Sequence, residues 1–370
     1  MLRPLLGREG RRRGHAIALA LGWLLLVGAP VAADAPATLA ETGLYSDFAA
    51  KIVAADVHSF SPQYPLWSDG ALKRRWIALP AGSAIDASDP DAWVFPIGTR
   101  IWKEFSFARR IETRLMELLP TGEWLYASYR WNEDESTATL APVRGVQRAT
   151  ESRPGVPYGI PSLIDCRSCH ESGASAVLGF SALQLSRDRD PGGLHQAPLE
   201  EGHFDLSELV RIGLVVGLPT ELVERAPRVR AETPIARAAL GYLHGNCGHC
   251  HNPRSPIANL GLFLDVLADG TPDALASAVA HESHYRPTGT TIDTRIVPGE
   301  PGASLLVARV SSRDPARQMP PTGTHVVDEQ AIALLTLWIA EDLKPAPASA
   351  GESIDPPLAP SSEIPKEEAP

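Results

Sequence analysis

Short apolar and aromatic runs alternate with turn segments between Ser59 and about Pro142. The runs read "KRRWIAL", "AWVFP", "IWKEFSF", "IETRLMEL" and "WLYASYRW", at residues 73–79, 92–96, 101–107, 111–118 and 124–131. Turn segments such as "PAG", "DPD" and "PTGE" separate them. This pattern predicts an antiparallel all-β unit, either a sandwich or a barrel. Six of the eight tryptophans lie here, and we expect them to fill the core, with an aromatic ligand surface as the alternative.

Apolar residues three and four positions apart mark two later segments as helices. Thr233 is a candidate N-cap, with Pro234 in the first helical position and an apolar stripe from Ile235 to Leu243. Asp328 is a candidate N-cap for a second helix, in which apolar residues from Ile332 to Leu343 share one face.

The first 33 residues are basic and then strongly apolar. Arg11, Arg12 and Arg13 precede the run "AIALALGWLLLVGAPVAA", which ends in small residues at Ala33. Residues 1–33 therefore predict a cleaved secretory signal peptide, with an uncleaved anchor as the alternative. The twin-arginine pattern is incomplete, which favours general secretion and a periplasmic location.

Removal of this segment makes the chain more acidic. The segment carries a charge of +4, so the formal net charge falls from −10 to −14. Such a surface excludes nucleic acid and anionic lipid as partners and favours basic or neutral proteins. No other stretch is apolar enough to predict a membrane span after cleavage.

All four cysteines fall into two short motifs that share one spacing. They are Cys166 and Cys169 in "CRSCH" and Cys247 and Cys250 in "CGHCH", followed directly by His170 and His251. On one helical turn, two such thiols can reach two vinyl groups of a haem while the histidine reaches the iron. The spacing is the signature of c-type haem attachment, so the sequence predicts two covalently bound haem c groups.

Two other readings of the cysteines remain open but explain less. A zinc site built from two Cys-x-x-Cys pairs gives the following histidines no role. Two structural disulfides would have to close two-residue loops, which suit redox exchange better than bracing. His249, between two cysteines, is expected to point away from the iron and to be exposed.

Each haem iron takes a second axial ligand. For the second haem the candidate is Met319 in "RQMPPTG", shortly before the predicted C-terminal helix. Pro320 favours an extended backbone at Met319, and methionine–histidine ligation raises the reduction potential. For the first haem the candidates are His195 and His203. An open position, which would permit peroxide chemistry, is the alternative.

The fold class expected from these patterns is an α+β multidomain chain. An N-terminal antiparallel all-β domain is followed by mainly α-helical, cytochrome c-like haem modules. The expected segments are a signal peptide (1–33), a β-rich domain (34–160), a first haem-binding module (161–230), a cytochrome c-like domain (231–345) and a disordered proline-rich tail (346–370).

Taken together, the motifs resemble a poorly characterised family of bacterial di-haem c-type cytochromes with an N-terminal β domain. The resemblance rests on "YPLWSDGALKRRWIALPAG", "FPIGTRIWKEF", "CRSCH", "YLHGNCGHCHNP" and "QMPPTG". It implies haem binding, iron ligation by His170 and His251, and electron transfer between redox proteins that the sequence does not identify. In cytochromes c the first and last helices cross near the haem edge, which we expect of the two helices here. The alternative is a di-haem peroxidase-like or oxidase enzyme with an open first haem.

Overall fold

The computed structural model describes residues 35–199, 202–286 and 291–344. The predicted signal peptide and the predicted proline-rich tail lie outside the described residues. The strands are β1 (Tyr45–Asp47), β2 (Ile52–Val53), β3 (His58–Ser59), β4 (Leu72–Ala78), β5 (Ile85–Asp86), β6 (Arg100–Ser106), β7 (Arg110–Leu118), β8 (Trp124–Trp131), β9 (Ala138–Leu140), β10 (Val146–Arg153), β11 (Val156–Ile160) and β12 (Val215–Val216). The α-helices are α1 (Leu163–His170), α2 (Leu206–Arg211), α3 (Thr220–Glu224), α4 (Pro234–Leu243), α5 (Ala274–Ala278), α6 (Leu305–Val310) and α7 (Glu329–Leu337).

An open antiparallel sheet of six strands, in the order β3-β4-β6-β7-β8-β9, forms the N-terminal part. The predicted antiparallel β region is therefore confirmed, although the sheet does not close into a barrel. Four of the five predicted runs are its central strands. The run at 92–96 is not a strand, because only Val94 pairs, in an isolated bridge with Asp86.

One face of the sheet packs against the segment that precedes β3. Trp76 and Trp102 lie there in an apolar cluster with Leu39 and Leu44. The tryptophans buried in the fold around this sheet are Trp76, Trp93, Trp102 and Trp131. These four fill core positions, as the sequence predicted for them.

The opposite face of the sheet contacts the chain that follows the β region. Ile77 and Met116 pack there with Phe180 and Leu185. A short parallel pair between β5 and β12 joins the two parts again. The apolar core is thus continuous across residue 160, where we placed the end of the β-rich domain. The domain boundaries themselves stay predictions.

The two predicted helices form and contact each other. The Thr233 hydroxyl accepts a hydrogen bond from the Ala236 amide at 3.0 Å at the start of α4, and the Asp328 carboxylate caps α7 in the same way. Both helices contribute to one buried cluster, in which Leu243 lies with Leu335 and Trp338. Each helix continues into a π-helical turn, at His244–Gly248 and Trp338–Asp342 respectively.

Most of the chain beyond residue 160 is irregular. Its helices are short, with α4 the longest at ten residues. The mainly helical cytochrome c-like modules therefore stay a prediction. No helix among the described residues has the length and apolar character that a membrane span requires.

Candidate functional site

The first cysteine motif lies on α1, directly after the β region. Ser162 caps this helix, because its hydroxyl accepts a hydrogen bond from the Asp165 amide and the Asp165 carboxylate accepts one from the Ser162 amide. The helical turn places Cys166 and Cys169 three positions apart and His170 at the last helical position. The thiols therefore share one side of the helix, as the sequence predicted.

His170 has the tautomer that a metal ligand needs. Its Nδ1 lies 2.7 Å from the carbonyl oxygen of Ala176, which can only accept, so Nδ1 carries the proton. Burial lowers the pKa of His170 to about 4, which keeps the ring neutral at physiological pH. The Nε2 lone pair is then available, and a hydrogen bond from the other ring nitrogen orients metal-binding histidines in general.

The second motif begins at the end of the π-helical turn that extends α4 (His244–Gly248), a type of distortion often found at functional sites, and continues beyond it to His251. Cys247 is packed against the buried cluster that joins α4 and α7. His251 is 8% exposed, and its Nδ1 has no hydrogen-bond partner among the described residues. Burial lowers its pKa to about 4, so this ring is also neutral. A buried imidazole nitrogen without a partner fits a ligand position.

The two motifs meet in space. The thiol of Cys250 donates a hydrogen bond to the sulfur of Cys169, which lowers the pKa of Cys169 and raises that of Cys250. His249 also hydrogen-bonds to Cys169. His249 is therefore half-buried rather than fully exposed, because it contacts the first motif and lines the cavity.

A cavity of about 1120 Å³ lies between the sheet and both motifs. Ligand pockets usually have a volume of about 300–1,000 Å³, so the volume of this cavity is larger than a single small ligand requires. The motif residues that line it are Cys166, Cys169, His170, His249 and Cys250. The first motif thus presents both thiols and its histidine to the cavity. The second presents Cys250, while Cys247 and His251 lie outside the lining.

A loop before β4 packs closely against the helix that leads into the second motif. A Cβ at Gly241 would overlap the ring of Tyr64, and one at Gly245 would lie 2.3 Å from the Tyr64 carbonyl oxygen. In the same loop, the Trp67 amide donates to Oδ1 of Asn246 at 2.6 Å, and the Trp67 ring lines the cavity. The phrases "YPLWSDG" and "YLHGNCGHCHNP" are therefore parts of one packed unit.

The candidates for second axial ligands are not among the residues that line the cavity, although Gln318 and Pro320, on either side of Met319, do line it. Nε2 of His195 is 2.8 Å from the Asp328 carboxylate, and the centre of its ring lies 4.7 Å from that of Trp67. His203 borders a separate, smaller pocket beside β3 and β4. The Met319 amide donates to the Arg309 carbonyl oxygen at 3.1 Å. None of these three residues lines the large cavity, so their ligand roles stay predictions.

All four cysteines are free thiols. Across the ranges that the structure describes, no three His, Cys, Asp or Glu side chains are grouped as a metal-ion site.

Sequence reasoning missed a set of basic side chains on the cavity wall, which includes Arg75, Lys103 and Arg114. Their signal was present in the strand pattern. Within β4, Arg75 and Ile77 are two positions apart, so the charge and the apolar side chain point to the same face. A positively charged side chain on the face of a strand that packs against the core indicates a candidate binding site. The assignment of those residues to a strand does not by itself reveal it.

No curated protein and no solved structure shows detectable similarity to this chain. Residues 278–323 match the model of a family described as planctomycete cytochrome C. The matched segment contains α6 and Met319 and lies between the second cysteine motif and α7. The match covers a small part of the chain, and it supports a relationship to c-type cytochromes, with the haem binding and electron transfer that this name implies.

Proposed function

We propose that the protein is an exported electron carrier with two covalently bound haem c groups. One group is attached at Cys166 and Cys169, and the other at Cys247 and Cys250. The observation that carries the proposal is the hydrogen bond from His170 Nδ1 to the Ala176 carbonyl oxygen. It leaves Nε2 unprotonated beside two thiols that line one large cavity.

The chain's own residues would act in three ways. Each cysteine S–H would add across one vinyl C=C of the haem, which would give a thioether and leave no other product. The neutral rings of His170 and His251 would each hold one iron, and the Met319 thioether would help to hold the second iron. When bound, haem supplies a one-electron iron(III)/iron(II) couple, whose potential the axial ligands set.

The contact between the motifs favours electron exchange within the molecule. Cys169 and Cys250 touch, so the two attachment sites share a wall of the cavity. An electron that enters at one site then has a short path to the other. We expect the donor and the acceptor to be redox proteins outside the cytoplasm, with surfaces that tolerate an acidic partner.

A di-haem enzyme with an open first haem is a second candidate, favoured by one observation. The Tyr126 hydroxyl is buried at the cavity and has no hydrogen-bond partner among the described residues. The Tyr126 ring lies 5.6 Å from that of His170. A free hydroxyl donor at this place could bind an exogenous ligand on the iron.

One experiment separates the two candidates. The full chain is produced with c-type haem maturation, and its spectra are recorded in both redox states, with and without carbon monoxide and peroxide. Two low-spin haems without peroxide turnover support the carrier. A high-spin ferric haem with rapid turnover that Tyr126→Phe slows supports the enzyme instead.

A further inference from the structure

Three basic side chains lie side by side on the sheet face that borders the cavity. Arg75 of β4 pairs with Lys103 of β6, and Lys103 pairs with Arg114 of β7. The Cβ atoms of residues paired in this way lie about 4.5–5.5 Å apart and on the same face. All three residues line the cavity. We refer to Arg75, Lys103 and Arg114 as the basic row.

Only Arg114 has a carboxylate partner. Its Nη2 and Nε lie 2.6 and 3.0 Å from the two oxygens of Glu112, which also accepts a hydrogen bond from the Tyr158 hydroxyl at 2.8 Å. Both oxygens of the Glu112 carboxylate are therefore already hydrogen-bonded. Within the ranges that the structure describes, no hydrogen bond or ion pair reaches the side chains of Arg75 or Lys103. The ammonium nitrogen of Lys103 lies 4.9 Å from the centre of the Phe105 ring.

This arrangement is unfavourable without an anion. Arg75 is 6% exposed, and an unpaired buried charge is strongly destabilising. Burial lowers the pKa of Arg75 to about 10. Burial, followed by the charges of Arg75 and Arg114, holds the pKa of Lys103 well below its usual range. Like charges on directly paired strand positions repel each other, so a negative charge in the cavity would stabilise the row.

The first cysteine motif faces the same space. Cys166, Cys169 and His170 line the cavity with the basic row. The positive charges of Lys103 and Arg114 are close enough to His170 to help lower its pKa. A haem carries two propionate carboxylates on the side of the ring away from its vinyl groups. Arginine binds such carboxylates in bidentate geometry, and lysine binds them as a point charge.

We propose that the basic row binds the propionate carboxylates of the haem attached at Cys166 and Cys169. Arg75 and Lys103 supply the positive charge that binds the carboxylates. Arg114 is already paired with Glu112 and lies at the end of the row. The inference rests on the proposed attachment of haem at the first motif. It gives the β domain a role, because the sheet that carries the basic row would then hold the first haem together with α1.

Other charged and titratable groups face the row. Lys73 lies two positions before Arg75 on the same strand, and the charges of Asp69 and Asp328 act on it. Glu112, Tyr158 and His170 approach from β7, β11 and α1. Glu112 is a carboxylate on the same face of the sheet, and its two oxygens are hydrogen-bonded to Arg114.

The test uses the full chain with matured haem, four variants in the sheet, and Met319→Ala to identify the second haem. Arg75→Gln and Lys103→Gln each remove one charge from the row, and Arg75→Lys keeps the charge. Arg74→Gln is the matched control, because exposed Arg74 pairs with Glu104 on the other face of the sheet. The haem content is measured first, followed by the reduction potentials of both haems between pH 5 and pH 9.

In the parent protein and in the Arg75→Lys and Arg74→Gln variants, the potential of the first haem should barely change with pH. In Arg75→Gln and Lys103→Gln, a propionate loses its cation and its pKa rises. The potential of that haem should then fall as the pH rises through the new pKa, because the added negative charge stabilises iron(III). The haem whose potential Met319→Ala changes should not respond.

Three results would overturn the inference in distinguishable ways. Two bound haems with unchanged pH profiles in both glutamine variants would remove the propionate role and leave the proposed function standing. A shift of the parent's potential on addition of inorganic phosphate, absent in both variants, would assign the row to a free anion. A parent chain without haem at the first motif would refute the proposed function itself. If the Arg75→Gln variant does not incorporate haem, the pH profile of the Lys103→Gln variant alone decides whether the row binds the propionates.

Discussion

The side-chain amide of Asn252 donates a hydrogen bond to the carbonyl oxygen of Ser172, 3.1 Å away. Asn252 directly follows the second cysteine motif, and Ser172 lies two residues beyond the first. The same amide group also bonds to the carbonyl oxygens of Gly248 and His249, at 2.9 and 3.2 Å. One buried side chain therefore links the two motifs that we propose to carry haem.

Asn252→Ala should loosen this link. Loss of the amide leaves three carbonyl oxygens without that donor, which we expect to lower the free energy of unfolding by about 1–3 kcal/mol. It should also slow electron exchange between the two haems, measured by rapid reduction of one site. Asn259→Ala, at an exposed position on the same segment, is the control and should change neither quantity.

Gly245→Ala should disturb the second motif. The new Cβ would lie 2.3 Å from the Tyr64 carbonyl oxygen, so a backbone segment must move. Such overpacking costs about 1–3 kcal/mol or more. We expect a lower thermal midpoint and reduced haem loading at the second site, measured by intact mass. Gly302→Ala, with no atom within 4 Å of the new Cβ, should behave like the parent.

Met319→Ala should lower the reduction potential of one haem and leave the other unchanged, because thioether ligation favours iron(II). Gln318→Ala alters the same loop but keeps the thioether, so both potentials should stay near those of the parent. Potentiometric titration followed by absorbance measures both. Equal potentials in the parent and in Met319→Ala would remove this methionine from the site.

Asp265 should make stability depend on pH. Burial, with the charges of Asp273 and Asp91, raises its pKa from 3.8 to about 6 in the folded protein. Between these values the folded state binds more protons than the unfolded state, so stability falls as the pH rises from about 4 to about 6. Asp265→Asn should flatten that slope in urea unfolding, and Asp56→Asn, at an exposed position, should not. A slope that survives in Asp265→Asn would contradict this account.

The sequence predicted the elements that local chemistry determines. Thr233 and Asp328 are caps whose side chains bond to the next turn, so their helices could be found from neighbouring residues alone. The strands that contain Trp76 and Trp102 could likewise be predicted from the residues within each short run. The run at 92–96 was wrong as a strand because strand formation depends on a partner, and only Val94 has one.

The arrangement of the site depends on contacts that sequence spacing does not encode. Cys169 and Cys250 touch although they are 81 positions apart in the sequence, and the hydrogen-bonded pair Ser172 and Asn252 is 80 positions apart. The basic row is likewise a product of strand register, which places Arg75 opposite Lys103. The alternation of side chains along β4 was the available signal in the sequence. Its use would have required knowledge of which face of the strand borders the cavity.

The most direct test of the central claim is the intact mass of the denatured mature chain after c-type maturation. We predict a mass that exceeds the polypeptide by two haem groups. The double variant Cys166→Ala with Cys169→Ala, and its counterpart at Cys247 and Cys250, should each lose one. A denatured parent chain with the polypeptide mass alone would contradict the account.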